Sequence, residues 1–306
     1  MPSGCDAFLA EGRFYKGNLH THSTRSDGMR SPHEVCARYQ EIGHDFLCLS
    51  DHFLADYEFP ITDTRQYRAE GFTTLLGAEL HAGTNSQGEI WHILAAGLPL
   101  DFAPPGEGES GVSLAARAKA AGAFVGIAHP QWSSLTIEDG RAMAPHAHAV
   151  EVFNTSCAKE TGREDGTALW DALLSEGHAH LSGYATDDAH FKIDDAGFGW
   201  VMVKASDNEP ETLLAALKAG HTYSSTGPAL QNVAVADGRV EVEASPVTTI
   251  AVVGRGSRSV YRSGDGLTSA SISLRRFAGD WCRVMALAPD GTRAWSNPIF
   301  VDEATG

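Results

Sequence analysis

Residues 17–28 read GNLHTHSTRSDG and residues 42–52 read IGHDFLCLSDH. Each places histidine at the end of an apolar, strand-like run: His20 and His22 close the first, and Asp51 and His52 close the second. Residues two apart in extended backbone project to the same side, so an H-x-H presents both imidazoles to one place. Between the two runs lies SPHEVCARYQEIG (31–43), where Ser31 stands before Pro32, a helix cap followed by proline at the first helical position. The unit is therefore strand, helix, strand.

The same rhythm continues to about residue 220. With FYKGNLH (14–20) and DFLCLSDH (45–52), the candidate strands are TTLLGAEL (73–80), IWHILAAG (90–97), AFVGIAHP (123–130), AVEVFN (149–154) and HLSGYATDD (180–188). SLAARAKAAG (113–122) and DGTALWDALLSEG (165–177) read as helices that stop on glycine. Alternation of this kind predicts an α/β fold of parallel strands joined by helices. DFAPPGEGESG (101–111), rich in proline and glycine, reads as a surface loop. Beyond Gly220 the pattern changes to short runs punctuated by Asp-Gly pairs, as in LQNVAVADGRVEVEAS (230–245) and WCRVMALAPDGTRAWS (281–296). That is the signature of hairpins, so residues 221–306 are expected to form a small antiparallel β-sandwich beside a catalytic domain at 1–220.

Composition narrows the function. Lys plus Arg number 23 against 39 Asp plus Glu, a balance that excludes a protein gripping duplex nucleic acid by phosphate neutralisation. A small anionic substrate stays compatible with it, because bound cations supply local positive charge. No apolar run is long enough for a membrane span, and the start MPSGCDAFLAEG lacks the basic and apolar regions of a secretory leader. Cys5, Cys36, Cys48, Cys157 and Cys282 are odd in number, scattered and never in C-x-x-C, which fits reduced thiols and a cytoplasmic location.

In parallel β/α architectures the loops after the strands converge on one face, where active sites sit. His20, His22, Asp51, His52, Glu79, His129, Asp188 and His190 all stand at such strand ends. Imidazole with carboxylate suits Zn, Mn or Fe, and Glu79 is placed to bridge two ions. The chain also carries its own controls. His146-x-His148 precedes a strand and His178-x-His180 lies between a helix stop and a strand, so these four read as solvated surface histidines. His33 and His44, in or just after the first helix, read the same way, and His221 reads as structural. His81, two beyond Glu79, is a candidate substrate contact. Arg25, beside the first motif, and Lys159 and Arg163, in KETGREDG after AVEVFN, are the cations placed to clamp a phosphate. Glu151 and Asn154 are candidates for steering ligands by hydrogen bonds from behind.

The string GNLHTHSTRSDG, followed in order by LSDH, GAEL, WHIL, IAHP, VEVFN and ATDDAH, resembles the PHP (polymerase and histidinol phosphatase) superfamily over roughly residues 14–224. WDALLSEG, ATDDAH, GWVMV and HTYSSTGP are most similar to its stand-alone branch, which also contains carbamate-hydrolysing members. The resemblance implies a distorted (β/α)7 barrel with two or three divalent ions. It implies that His20 and His22 hold one ion with the bridging Glu79 and with Asp188, and that His92 and His129 hold a second. His52 and His190, completed by Asp27, would hold a third. Asp51 becomes a group supporting the ligands from behind or a proton-handling group rather than a ligand, and the register of D-x-H selects Asp188 over Asp187.

The expected reaction is hydrolysis of a phosphate monoester or diester by a hydroxide held on the ions, with Asp51 or His190 as general acid. The rivals are hydrolysis of a carbamate, ester or amide at the same centre, and a metal-binding module without turnover.

Overall fold

The computed structural model describes residues 4–303; the first three residues of the MPSGCDAFLAEG start and the last three of the chain lie outside them. A short helix, α1 (Asp6–Leu9), leads into β1 (Arg13–Asn18), α2 (Pro32–Glu41), β2 (Phe46–Leu49), β3 (His52–Phe53), β4 (Thr73–Leu80) and β5 (Ile93–Ala96). Then come α3 (Gly111–Ala120), β6 (Phe124–Ile127), α4 (Ile137–Met143), β7 (Ala149–Asn154), α5 (Thr155–Thr161), α6 (Thr167–Ser175) and β8 (Ser182–Thr186). The expected cap at Ser31 is present as a full capping box. Its side chain accepts from the Glu34 N–H while the Glu34 carboxylate accepts from the Ser31 N–H.

β1, β2 and β4 pair in parallel, as do β6, β7 and β8. β5 departs from the all-parallel expectation and runs antiparallel to both β4 and β6. The reason lies in the connection. Residues 81–92 contain no helix, and a parallel return needs a crossover, usually helical. The reversal has a consequence for the site: it brings the start of β5, where His92 stands, to the same edge as the ends of the parallel strands.

The two margins of this arc meet just beyond the strands. Thr21 and Ala189 form a parallel bridge, with the Asp188 N–H donating to the His20 carbonyl and the His22 N–H donating to the Ala189 carbonyl, each at 2.9 Å. Inside, Leu80, Ile93, Val125, Ile127, Val150 and Val152 share one apolar cluster with Leu114 of α3 and Trp170 and Leu173 of α6.

The chain continues through β9 (Trp200–Ala205), α7 (Pro210–Ala219), β10 (Thr222–Ser225), β11 (Leu230–Ala236), β12 (Arg239–Gly254), β13 (Ser259–Ser273), β14 (Trp281–Leu287), β15 (Arg293–Ser296) and β16 (Ile299–Phe300). The tail is antiparallel throughout, and Asp237 and Gly238 both take positive φ at the β11–β12 turn, as a primed two-residue hairpin requires. It has its own apolar cluster around Val233, Val242, Ile250, Val252, Ile272 and Val284. Its strands are also continuous with the first sheet, because β10 pairs with β9 on one side and β15 on the other, and β9 pairs with β1. Among the described residues, no helix is long and apolar enough to cross a membrane.

Asn297 joins the two regions. Its buried side chain accepts from the Gly183 N–H of β8 and donates to the Gly220 and Thr222 carbonyls. Asn297→Ala leaves these groups without partners, so it should lower unfolding free energy by roughly 2–4 kcal/mol. A urea melt checks this; an unchanged midpoint would show that water replaces the amide.

Candidate metal centre

Glu79, at the end of β4, is the middle of the site. Its carboxylate is fully buried, and six imidazoles lie within 4 Å of it. On the Oε1 side, His92 Nδ1 is at 2.8 Å, His129 Nε2 at 3.0 Å and His20 Nε2 at 3.4 Å. On the Oε2 side, His52 Nδ1 is at 2.7 Å, His81 Nε2 at 3.6 Å and His22 Nε2 at 3.7 Å. Asp188 Oδ1 approaches His22 Nε2 at 2.9 Å and His20 Nε2 at 3.3 Å. Asp27 Oδ1 lies 3.2 Å from His190 Nε2 and 3.4 Å from His52 Nε2. The nine residues assigned to metal by the sequence thus stand around one centre.

The backbone is strained to achieve this. Both His129 and Asp188 adopt positive φ, an arrangement that non-glycine residues hold only where the surroundings impose it. For His129 the imposing contact is Glu151, whose carboxylate accepts from the His129 N–H, from the Thr186 hydroxyl and from the Asn154 amide. Glu151 Oε1, which takes the Thr186 hydroxyl, also lies 3.2 Å from His20 Nδ1. With Nδ1–H directed at that carboxylate, His20 turns the lone pair of Nε2 into the site. Ser133 and the Asp188 carbonyl do the same for Nδ1 of His129 and His190.

The fit to divalent ions rests on unpaired atoms. His20 Nε2, Glu79 Oε2 and Asp27 Oδ1 are three of seven buried side-chain atoms without a hydrogen-bond partner among the described residues; the other four, on His44, Thr64 and Asn208, lie outside the ligand sets. A buried polar atom left unpaired costs about 1–3 kcal/mol unless a ligand takes it up. The three ligand atoms fall in three sets of converging donors, His20 with His129 and Asp188, Glu79 with His52, His81 and His92, and Asp27 with His22, His52 and His190, and a further convergence of His20, His22 and Glu79 links these sets. Imidazole nitrogen and carboxylate oxygen in these proportions suit Zn, Mn or Fe. All three sets open on one cavity of about 200 Å³, lined also by Trp132, Ser156, Cys157, Glu160 and Lys192.

The electrostatics follow from crowding acids with imidazoles. Burial alone would lower His190, but its hydrogen bond to Asp27 and the field of Asp188 overcome this and raise it to about 9. His20, His52 and His129 are likewise raised against their burial by Glu79, Asp188 and neighbouring carboxylates. Burial and the positive His52 and His190 push His22 down to about 3, and burial takes His92 to about 4. Burial would raise Glu79 and Asp188, yet the surrounding imidazoles hold both well below the usual carboxylate range.

The remaining candidates stand outside the ligand sets. Asp51 is buried away from the cavity lining; it accepts from the Ser23 N–H, the Ser23 and Ser26 hydroxyls and the Thr62 hydroxyl, and so ties down the loop carrying Asp27. Asp187 is saturated by the Gly197, Phe198 and Gly199 N–H groups and by the Tyr39 and Thr155 hydroxyls, which leaves Asp188 to face the site. Arg25 and Arg163 are exposed, and Lys159 donates to the Asp194 carbonyl and lies over the Phe198 ring; none of the three lines the cavity.

The cation that does line it is Lys192, 2.8 Å from Asp27 Oδ2. Its sequence signal was its position two beyond His190, on the same motif. Trp132, 40% exposed and edge-on to His92 and His129, was likewise signalled by following His129 in HPQW. Cys157 lines the cavity, but burial and the nearby Asp188 push its thiol up, away from nucleophilic use.

His44 is a correction: it is buried instead of solvated, because its N–H returns to the Tyr39 carbonyl at the end of α2 and its ring packs edge-on against Tyr39. His148 is half-buried and its Nδ1 accepts from the Val125 N–H, while His180 donates to the Ala144 carbonyl. Neither these nor His146 and His178 join any of the converging sets among the described residues.

No protein-family profile matches the sequence, and no curated protein does. The fold, however, is similar to that of a two-domain protein from Bacteroides vulgatus described as containing a predicted PHP-like metal-dependent phosphoesterase. The TM-score is 0.54 at 16% identity, covering 94% of this chain and 97% of that one. This chain shares the fold of that protein. Weaker likenesses are to a metal-dependent phosphoesterase proposed from Bifidobacterium adolescentis (TM-score 0.40, 15% identity, 57% and 87% covered) and an amidohydrolase from Chromobacterium violaceum solved with sulfate (0.43, 16%, 57% and 87%). The breadth of the first match extends the PHP fold comparison over the tail strands as well.

Metal ligation needs imidazoles without their protons, so ion uptake by this centre should displace protons held below pH 9 on His190. Titrating Zn into weakly buffered protein at pH 7.5 should release at least one proton, and affinity should rise by about tenfold per pH unit for each proton displaced. Affinity independent of pH between 7 and 9 would contradict this protonation pattern. His20→Ala or Asp188→Ala should lower metal content with far-UV circular dichroism retained, whereas His146→Ala and His178→Ala should load like wild type.

Proposed function

We propose that the protein is a metal-dependent phosphoesterase, with two or three divalent ions held by His20, His22, Asp27, His52, Glu79, His92, His129, Asp188 and His190. The observation that carries the reading is the convergence of buried imidazole and carboxylate ligand atoms, three of them unpaired, around a single cavity whose wall includes Asp27, Glu79, His129 and Asp188. Ions bound there supply Lewis acidity, which makes water nucleophilic near neutral pH and offsets charge on phosphoryl oxygens. We read the arc from β1 to β8 as the distorted seven-stranded barrel and residues 221–306 as an accessory domain; among the described residues, none beyond Gly220 enters the ligand sets.

The chain's own residues do the rest. Lys192, at the cavity wall, carries the positive charge that a phosphoryl oxygen needs, and it takes over the clamp expected of Arg25, Lys159 and Arg163. Trp132 offers an apolar edge at the mouth for the substrate's leaving portion. A cavity of about 200 Å³ holds a phosphoryl group and little more, so the remainder of the substrate lies outside. The two roles expected of His190 exclude each other. Nδ1–H donates to the Asp188 carbonyl, and the proton that Asp27 holds on Nε2 has to leave before an ion can bind there, so a ring that held an ion would have no proton to give a leaving group.

The deciding assay compares phosphate release from aryl phosphate mono- and diesters with aryl release from a carbamate, using metal-loaded protein. Turnover of the carbamate alone would overturn the phosphoesterase reading. Lys192→Ala should cut kcat/KM for the phosphoester by about tenfold to a hundredfold, the equivalent of one charge-assisted contact of roughly 1.5–3 kcal/mol. Arg163→Ala should stay within about twofold, as expected of a surface charge.

A further inference from the structure

His81 belongs to no ligand set implied by the family resemblance, yet it is 3% exposed and sits between Glu79 and His52. Its hydrogen bonds determine where its proton is. Nδ1 lies 3.0 Å from the Trp91 carbonyl oxygen, which only accepts, so Nδ1 carries the hydrogen and Nε2 of the neutral ring carries a lone pair. That lone pair faces His52 Nδ1 at 2.9 Å, which must therefore be an N–H. A neutral His52 protonated on Nδ1 has its own lone pair on Nε2, the atom that faces Asp27 Oδ1 among His22 and His190.

A second observation agrees. His52 Nδ1 is nearer to Glu79 Oε2, at 2.7 Å, than to His81, yet Oε2 has no hydrogen bond of acceptable geometry. The N–H is aimed at His81, which leaves the carboxylate oxygen free. The anchor is firm. Trp91 is buried, its ring packs so closely on Gly111 that a Cβ there would meet it at 2.3 Å, and its N–H reaches the Gly83 carbonyl.

We propose that His81 is a positioning residue for the third ion. The chain from the Trp91 carbonyl through His81 to His52 holds His52 in the one tautomer that offers Nε2 to the set of Asp27, His22 and His190, and keeps Glu79 Oε2 open for a neighbouring ion. This rests on the three-ion form of the proposed function. The alternative is that His81 Nε2 itself ligates, with Glu79 and His92.

The test uses the full chain and Zn as probe, with ion stoichiometry from elemental analysis after dialysis and affinity from chelator competition. Asp27→Asn defines loss of the third ion. His81→Leu and His81→Phe remove the acceptor, the latter keeping a ring in place; His81→Gln restores an acceptor oxygen. The expected result is that both apolar variants lose the ion lost in Asp27→Asn or weaken it by about tenfold to a hundredfold, the usual effect of removing a group behind a metal ligand. His81→Gln should retain it, and His81→Phe combined with Asp27→Asn should lose nothing further. Full affinity in a folded apolar variant would overturn the inference alone. Loss of a second ion in the double variant would assign His81 as a ligand instead. A wild-type protein that binds only two ions would overturn both the inference and the three-ion reading beneath it.

Discussion

A carboxylate with no solvent exposure cannot keep its charge in an apolar interior, and Glu79 is such a carboxylate, at the end of the central β4 strand. Its charge is tolerated because six imidazoles from β1, β3, β4, β5 and β6, or the loops adjoining them, turn toward it. The other features of the site follow from that requirement. Imidazoles brought this close to one another and to Glu79, Asp188 and Asp27 share too few protons to satisfy every donor and acceptor, and the three atoms left over are the ones that divalent ions complete.

The second support is geometric. The Thr21–Ala189 bridge and the two backbone hydrogen bonds beside it join the first histidine motif to the last acidic one, across more than half of the chain. Behind them, Glu151 braces His20 and the strained backbone of His129, and Asp187 gathers the loop at Gly197–Gly199. Both acids act as scaffolding, because their oxygens are already filled by N–H and O–H donors. Asp51 has the same character, and its neighbour His52 is directed by His81.

The electrostatic arrangement also makes the proposed anionic substrate compatible with so acidic a chain. Its charge of −16 is spread over the surface, while the cavity concentrates carboxylates that ions neutralise and adds Lys192 at the wall. Cations elsewhere on the surface, Arg25 and Arg163 among them, have no comparable access.

By itself the sequence determined the strand and helix rhythm, the capped first helix, the hairpin character of the tail and the identity of the metal-site candidates at strand ends. Those are local properties: periodicity, caps and short spacings act over a few residues. It could not decide the direction of β5, since the lack of a helix in residues 81–92 matters only once β4 and β5 lie side by side. Nor could it rank Lys192 above Arg163, separate Asp187 from Asp188 except by register, or show that His44 is buried. Each of those turns on which polar partners surround a side chain, and partners such as Tyr39 and Asp187, or Trp91 and His81, become neighbours only when the sheet curls. The tertiary structure alone decided the proton positions along Trp91, His81 and His52, because a tautomer is set by the atoms opposite each ring nitrogen and those atoms come from separate strands and loops.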